Sequence, residues 1–86
     1  MEVKVNLNNT EKVKNFSNKV LNIYETIDLK SGRYIVDAKS IMGIFSLNLS
    51  KDLIMIIHAD DKRAEEIKDI LKNSLLSKER YYAKYK

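Results

Sequence analysis

The stretch Asp37-Ala38-Lys39-Ser40-Ile41-Met42-Gly43-Ile44-Phe45-Ser46-Leu47 decides how this chain is interpreted. Ser40 precedes a short apolar run, and serine is a preferred N-cap because its hydroxyl accepts a backbone N–H from the first turn of a helix. The pattern predicts a short helix that starts after Ser40 and ends near Leu47. Helical periodicity turns Ile44 and Leu47 toward a core and leaves three apolar side chains exposed, those of Ile41, Met42 and Phe45.

A hairpin and a strand flank this stretch. Two strand-like runs, Thr26–Lys30 and Arg33–Asp37, are separated by Ser31-Gly32, a dipeptide suited to a tight turn with positive φ. Beyond the short helix, Asp52–Ala59 is apolar on both faces, and such a strand is expected at the centre of a sheet. The sequence therefore predicts a hairpin that leads into the helix and a central strand that follows it.

One more strand and two longer amphipathic helices complete the prediction. Alternation along Glu2–Leu7 predicts a half-buried strand. Asn9 or Thr10 is predicted to cap a helix of about four turns, and Asp60 or Asp61 to cap a later one. The inward residues are predicted to be Val13, Phe16, Val20, Ile23 and Tyr24 in the first helix, and Ala64, Ile67, Ile70, Leu71 and Leu75 in the second.

The element order is β-α-β-β-α-β-α, which places the chain in the α+β class. Helices with one apolar stripe must share one face of the four-stranded sheet, so the other face stays more open. The hairpin fixes one antiparallel pair, and the sheet is predicted to be mostly antiparallel. We expect one domain over residues 1–77 and a basic, tyrosine-rich tail or helix extension over residues 78–86.

Composition narrows the function classes. The chain has 86 residues, no cysteine and a single histidine, so we predict no disulfide framework, metal site or cofactor. The formal charge is +4, but residues 78–86 hold four basic residues and one acidic residue. The rest of the chain is therefore nearly neutral, which argues against nucleic-acid binding. The longest apolar run, Leu53–Ile57, is short and no signal segment is visible, so we expect a cytoplasmic protein without membrane insertion.

The element order, the length and the run K-S-I-M-G at Lys39–Gly43 resemble the HPr family of bacterial phosphocarriers. The resemblance spans roughly residues 1–75 and implies an open-faced β-sandwich of the sugar phosphotransferase system. In that family a histidine at the start of the first helix, in a G-[IL]-H-A-R-P-A motif, carries the phosphoryl group. The matching segment here, Leu7–Val13, reads L-N-N-T-E-K-V, and Asn8 or Asn9 falls closest to the histidine position. An amide cannot form a phosphohistidine-type intermediate, so no catalytic residue is predicted.

A second family feature is present at Ser40. In one branch of the family the serine at this position is phosphorylated by a dedicated kinase, and a phosphate there adds negative charge at the start of a helix. The resemblance implies a regulatory phosphosite at Ser40 and a partner-binding surface formed by Lys39, Ile41, Met42 and Phe45. The simpler interpretations are that Ser40 is only an N-cap and that a neighbouring loop covers the apolar residues.

We therefore predict a non-enzymatic regulatory or protein-binding module. Its expected partners are phosphotransferase-system or transcription-regulatory proteins, and an HPr serine kinase where one is present. Two alternatives stay open: an active phosphocarrier whose acceptor has moved to His58, and a small nucleic-acid-binding domain that uses residues 78–86. His58 follows an apolar strand and lies near Asp60 and Asp61, so a histidine that faces solvent or caps the next helix is the simpler interpretation.

Overall fold

The computed structural model describes residues 1–75, so the predicted tail over residues 78–86 and the domain boundary at residue 77 lie outside the described residues. The elements follow the predicted order β-α-β-β-α-β-α, and a short 3₁₀ turn comes after the last helix. Their bounds are β1 Glu2–Val5, α1 Thr10–Val20, β2 Ile27–Ser31, β3 Tyr34–Asp37, α2 Ile41–Phe45, β4 Leu53–Ile57, α3 Asp61–Ile70 and the 3₁₀ turn Lys72–Ser74.

The four strands form one antiparallel sheet in the order β1-β4-β2-β3. β4 lies between β1 and β2, which confirms the central position that its two apolar faces predicted. Leu53, Met55 and Ile57 are buried on the helix side, whereas Ile54 and Ile56 are half-buried on the other side. This alternation follows from the pleat, because successive side chains of a strand point to opposite faces of the sheet.

The helices pack on one face of the sheet around one hydrophobic core. Phe16 of α1 is fully buried there, and burial of a side chain of this size contributes roughly 2–3 kcal/mol. The core consists of Val5, Leu7, Val13, Phe16, Val20, Ile23, Ile27, Leu29, Ala38, Ile44, Leu47, Leu53, Met55, Ile57, Ala64, Ile67 and Leu71.

The N-termini of the helices lie where the sequence predicts them. Asn9, Ser40 and Asp60 cap α1, α2 and α3, each with a side-chain oxygen that accepts the backbone N–H three residues later. Such a cap contributes about 1 kcal/mol relative to alanine. The short polar side chains at these positions therefore determine where each helix begins.

Two residues predicted to face the core are exposed. α1 has 11 residues, about three turns instead of about four, and it ends before Ile23 and Tyr24. Ile23 is still buried, whereas Tyr24 is 93 % exposed because the chain has left the helical path. In α3, Ile70 is 42 % exposed, since a step of one residue rotates it about 100° away from the buried Leu71.

The β2–β3 turn differs from the prediction by one residue. Ser31 pairs with Tyr34, so the two-residue turn consists of Gly32 and Arg33 instead of Ser31 and Gly32. Gly32 has a φ of 60° and Arg33 has a negative φ, the pattern of a type II′ turn with glycine at its first central position. The prediction of a glycine turn is confirmed, but alternation alone does not show which residues form the last pair.

α2 approaches β3 closely at Gly43. A Cβ atom added at Gly43 would lie 3.2 Å from the Cβ of Val36 and 3.2 Å from Ser40 Oγ. The Cβ of Val36 is attached directly to the strand backbone, so it cannot move away unless β3 shifts. The missing side chain at Gly43 therefore lets α2 lie against the sheet edge and sets the position of Ser40.

A salt bridge fastens the α1–β2 loop to α3. Arg63 Nε lies 3.0 Å from Glu25 Oε2, and Arg63 Nη1 lies 3.2 Å from Glu66 Oε1. The hydrogen bond from Arg63 lowers the pKa of Glu25 below its ordinary value of 4.5, and the positive charge of Lys39 acts in the same direction. Glu25 Oε1 is buried without a hydrogen-bond partner among the described residues. The hydrogen bond from Arg63 is therefore the main interaction that favours the ionised form of the Glu25 carboxylate.

The Glu25–Arg63 pair predicts a dependence of stability on acid. Because the pKa of Glu25 is lowered on folding, its contribution is fully present above the ordinary carboxyl pKa and is lost as the pH falls through the lowered value. We expect the Glu25→Gln variant to be less stable than the wild type near neutral pH and to approach it in acid. Urea denaturation midpoints measured across this range test the prediction.

The control is Asp69→Asn, which removes an equal charge from an exposed position of α3. This variant should keep a nearly constant offset from the wild type over the same pH range. A Glu25→Gln offset that is also constant with pH would show that the pair does not stabilise the fold through its charge.

The close contact at Gly43 predicts the outcome of adding one methyl group. Alanine is favoured over glycine inside a helix by about 1 kcal/mol, but the added Cβ would press on Val36. We expect Gly43→Ala to lower the free energy of unfolding by about 1 kcal/mol, because overpacking outweighs helix propensity. Thermal unfolding measures this, with Met42→Ala as a control at an exposed position of the same helix; a gain in stability for Gly43→Ala would contradict the close contact.

Candidate functional site

The backbone between β3 and α2 is held by its own polar side chains. Asp37 Oδ1 accepts the N–H of Lys39 at 2.9 Å, and the Asp37 carbonyl accepts the N–H of Ser40 at 3.0 Å. Ser40 then has extended φ and ψ angles, and its Oγ accepts the N–H of Gly43 at 3.1 Å. Ser40 therefore lies at the surface with a fixed position at the start of α2.

The apolar side chains of α2 divide as the periodicity predicts. Ile44 is fully buried and Leu47, just beyond the helix, is 8 % exposed. Ile41, Met42 and Phe45 are 43 %, 82 % and 49 % exposed, and we call these three residues the α2 face. No loop of the described residues covers them. The predicted exposure is confirmed, and such grouped apolar exposure on a small domain is typical of a contact surface.

The structure also has a groove that the sequence did not predict. The groove has a volume of about 800 Å³ and lies between β3, with Tyr34 and Val36, and the end of α2, with Ser46 and Leu47. Tyr34 is 71 % exposed. The strand pattern alone does not reveal that β3 is an edge strand beside α2, so no sequence signal identified Tyr34 as a surface residue.

Lys39 is placed differently from the α2 face. Its Nζ donates a hydrogen bond to the carbonyl of Tyr24 at 3.2 Å, and its side chain is only partly exposed. This contact joins the β3–α2 connection to the α1–β2 loop, close to the Glu25 carboxylate that the charge of Lys39 influences. The structure thus gives Lys39 a contact within the fold, while its predicted role in partner binding stays a prediction.

Asn8 and Asn9, at the predicted position of the family histidine, are both exposed at the start of α1. Asn9 Oδ1 accepts the N–H of Lys12 at 2.8 Å, so this amide is used as the helix cap. Lys12 Nζ in turn donates to Asn6 Oδ1 at 3.1 Å. The cap at Asn9 therefore occupies one N–H group of the first turn of α1, that of Lys12.

His58 follows β4 on the side of the sheet away from the helices. Its Nε2 lies 2.9 Å from Asp28 Oδ2, and its side chain is 51 % exposed. The cap of α3 is Asp60 and not His58, so of the two simpler interpretations the solvent-facing histidine is confirmed. The neighbouring carboxylate makes the surroundings of the ring more negative.

The structure brings some predicted site residues together and separates others. Ser40 and the α2 face share one helix, whereas Asn9 lies after the end of β1, where Val5 pairs with Leu53 at the start of β4. Ser40 follows β3 at the opposite end of the sheet, where Ile27 of β2 pairs with Ile57 of β4. Over residues 1–75, no three metal-ligating side chains group together and no helix is long and apolar enough to cross a membrane.

Solved structures with the same fold include two HPr proteins. HPr-C-His from Thermoanaerobacter tengcongensis superimposes with a TM-score of 0.71 at 27% identity, covering 91% of this chain and 93% of that one. The phosphocarrier protein HPr from Bacillus anthracis gives 0.69 at 26% identity, with 88% and 94% covered. The catabolite repression protein Crh from Bacillus subtilis gives 0.57 at 22% identity, with 86% and 88% covered, and this likeness concerns the fold alone.

A comparison with curated proteins gave no match. A protein-family model described as the PTS HPr component phosphorylation site, in contrast, matches residues 9–76, which is most of the chain. The matched region contains α1, the β2–β3 hairpin, Ser40 with the α2 face, β4 and α3. This chain therefore belongs to the HPr family of the phosphotransferase system.

Proposed function

We propose that this HPr-family chain is a regulatory, protein-binding module that acts through Ser40 and the α2 face and carries no phosphoryl group on histidine. The observation that supports the proposal is the exposure of Ile41, Met42 and Phe45 around a surface serine. Ser40 Oγ makes one hydrogen bond, to the N–H of Gly43, and its hydroxyl proton has no acceptor among the described residues. The hydroxyl thus stands free for phosphorylation.

The absence of phosphocarriage rests on the chemistry of Asn8 and Asn9. The nitrogen lone pair of an amide is delocalised into its carbonyl, so it does not attack a phosphoryl donor as an imidazole does. The Asn9 oxygen is also occupied by the Lys12 N–H. His58 is not proposed as a relocated acceptor, because the Asp28 carboxylate 2.9 Å from its ring would repel the incoming phosphoryl group.

Phosphorylation of Ser40 would change the charge of this surface and leave the fold in place. A phosphoserine carries about −1.5 to −2 charges near neutral pH. The first turn of α2 presents its free N–H groups to that charge, while the Asp37 side chain is turned to the N–H of Lys39. The added charge would lie next to the apolar α2 face, so a partner that docks there would sense it directly.

The partners that suit this surface are other proteins. Met42 is the most exposed member of the α2 face, and methionine adapts its shape to different apolar surfaces. Phosphotransferase-system proteins, transcription regulators and an HPr serine kinase are the partners that the proposal names, and such partners place the protein in the cytoplasm. A protein with this role has no catalytic centre of its own.

The proposal predicts that this protein is not phosphorylated on histidine. Incubation with phosphoenolpyruvate and the upstream histidine kinase of the phosphotransferase system should leave the protein without acid-labile phosphate, because no imidazole stands at the start of α1. A histidine-containing HPr serves as the positive control, and intact-mass spectrometry at neutral pH measures the product. Stable labelling of this chain, lost in His58→Ala, would establish a relocated acceptor and refute the proposal.

The proposal also predicts that a kinase phosphorylates Ser40. An HPr serine kinase with ATP should add one acid-stable phosphate, which Ser40→Ala should lack and which Ser46→Ala, a matched change at the other end of α2, should keep. Phe45→Glu should lower the rate about tenfold or more, the effect of losing an aromatic anchor from an interface. Peptide mapping of the product identifies the site; phosphate on another residue, or none, would remove the regulatory part of the proposal.

A further inference from the structure

On the side of the sheet opposite the helices, the four strands carry eight side chains in a regular array. Because side chains alternate along each strand, the residues next to the buried ones all point to this side. We call them the open face: Glu2, Lys4, Asp28, Lys30, Ile35, Asp37, Ile54 and Ile56. No helix of the described residues covers this face, and its central members Ile54, Ile56, Asp28 and Lys30 are half-buried.

The strand register sorts the charges of the open face into two rows. One row runs across the sheet through Glu2, Ile56, Asp28 and Asp37, and all its charges are negative. The neighbouring row runs through Lys4, Ile54, Lys30 and Ile35, and all its charges are positive. An acidic row and a basic row therefore lie side by side, each with an isoleucine at the central strand.

Most of these charges have no opposite partner within residues 1–75. Glu2, Lys4 and Lys30 make no ion pair or side-chain hydrogen bond there, whereas Asp28 contacts His58 and Asp37 accepts the N–H of Lys39. Half-buried isoleucines bordered by such charges resemble the apolar centre and polar rim of a protein interface. The open face would therefore attract a surface on which the acidic and basic rows lie in the reverse order, and it would repel one with the same order.

A second copy of the chain provides that reverse order. A two-fold axis that lies across the strands and parallel to the rows would set the acidic row of one copy over the basic row of the other. Glu2 would then oppose Lys4 of the second copy, and Asp28 would oppose Lys30. At the centre, Ile56 would meet Ile54 of the second copy. An axis parallel to the strands would instead set acid over acid and base over base.

From this self-complementary array we infer that the open face is a homodimer interface, in which two sheets pack face to face with their acidic and basic rows opposed. Two-fold interfaces use one patch on both subunits, and the patch must complement itself. Sheets packed in this way lie about 10 Å apart with their strands about 30° from parallel. The inference does not depend on the proposed role of Ser40.

The size of the open face predicts a weak dimer. Four strands at about 4.8 Å spacing and two rows of side chains cover roughly 300 Å² of sheet per copy, below the roughly 800 Å² per partner of a stable interface. We therefore expect a weak dimer that dissociates further as salt is added. In the dimer the α2 face of each copy stays free, because α2 lies on the opposite side of the sheet.

Sedimentation equilibrium of the full chain, from about 20 μM to about 2 mM, tests the inference. The wild type should change from monomer to dimer across this range. Lys4→Glu/Lys30→Glu, which sets acid against acid, should be monomeric throughout, and so should Glu2→Lys/Asp28→Lys. An equimolar mixture of these two double variants should restore the dimer as a heterodimer, since one face is then acidic and the other basic.

Lys14→Glu/Lys72→Glu is the matched control, because it changes the net charge by the same amount at exposed positions away from the open face. It should dimerise within about twofold of the wild type. Circular dichroism spectra and unfolding midpoints establish that each variant is folded. A wild type that stays monomeric at the highest concentration, a dimer that survives Lys4→Glu/Lys30→Glu, or a mixture that stays monomeric would each overturn the inference.

Discussion

The pleat of β4 is the constraint on which the rest of the molecule depends. This strand lies between β1 and β2, and its side chains alternate between the two faces of the sheet. Leu53, Met55 and Ile57 must be covered by helices, whereas Ile54 and Ile56 remain on the side that no described helix reaches. A pairing shift of one residue would exchange the two sets. The register of one strand therefore fixes the core and the open face together.

Two N-caps, Asn9 and Ser40, lie at opposite ends of the sheet. Their hydrogen bonds are similar, but their side chains differ in chemistry. Asn9 and Ser40 each accept the N–H three residues later, at 2.8 Å and 3.1 Å. Each supplies the stabilisation that a helix N-terminus requires. An amide provides only the cap, whereas a hydroxyl provides the cap and a nucleophile that a kinase can use. A fold of the HPr family can thus keep its first helix capped by an amide, while Ser40 caps α2 with a hydroxyl.

The sequence predicted features that depend on local chemistry and failed for those that depend on tertiary contacts. The cap at Ser40 and the burial of Ile44 follow from residue type and period, and the structure confirms both. Tyr24 and Ile70 were assigned to the core because a helical period does not show where the sheet stops covering a helix. The groove beside Tyr34 could not be predicted because the sequence does not show that β3 is an edge strand. The charge rows could not be predicted either, because they follow from the pairing register of four strands and no single segment determines that register.

The charge rows show why net charge is a poor guide to what this surface can recognise. The negative and positive charges of the open face nearly cancel in sum. The register nevertheless places the acidic and basic residues in separate rows, so each row produces its own electrostatic field. If β4 carried a basic residue beside Glu2 and an acidic residue beside Lys4, each charge would have a partner on the neighbouring strand of the same sheet. Isoleucines fill the β4 positions instead, so Glu2, Lys4 and Lys30 have no residue of opposite charge beside them on β4. A nearly neutral domain can therefore carry a specific electrostatic surface.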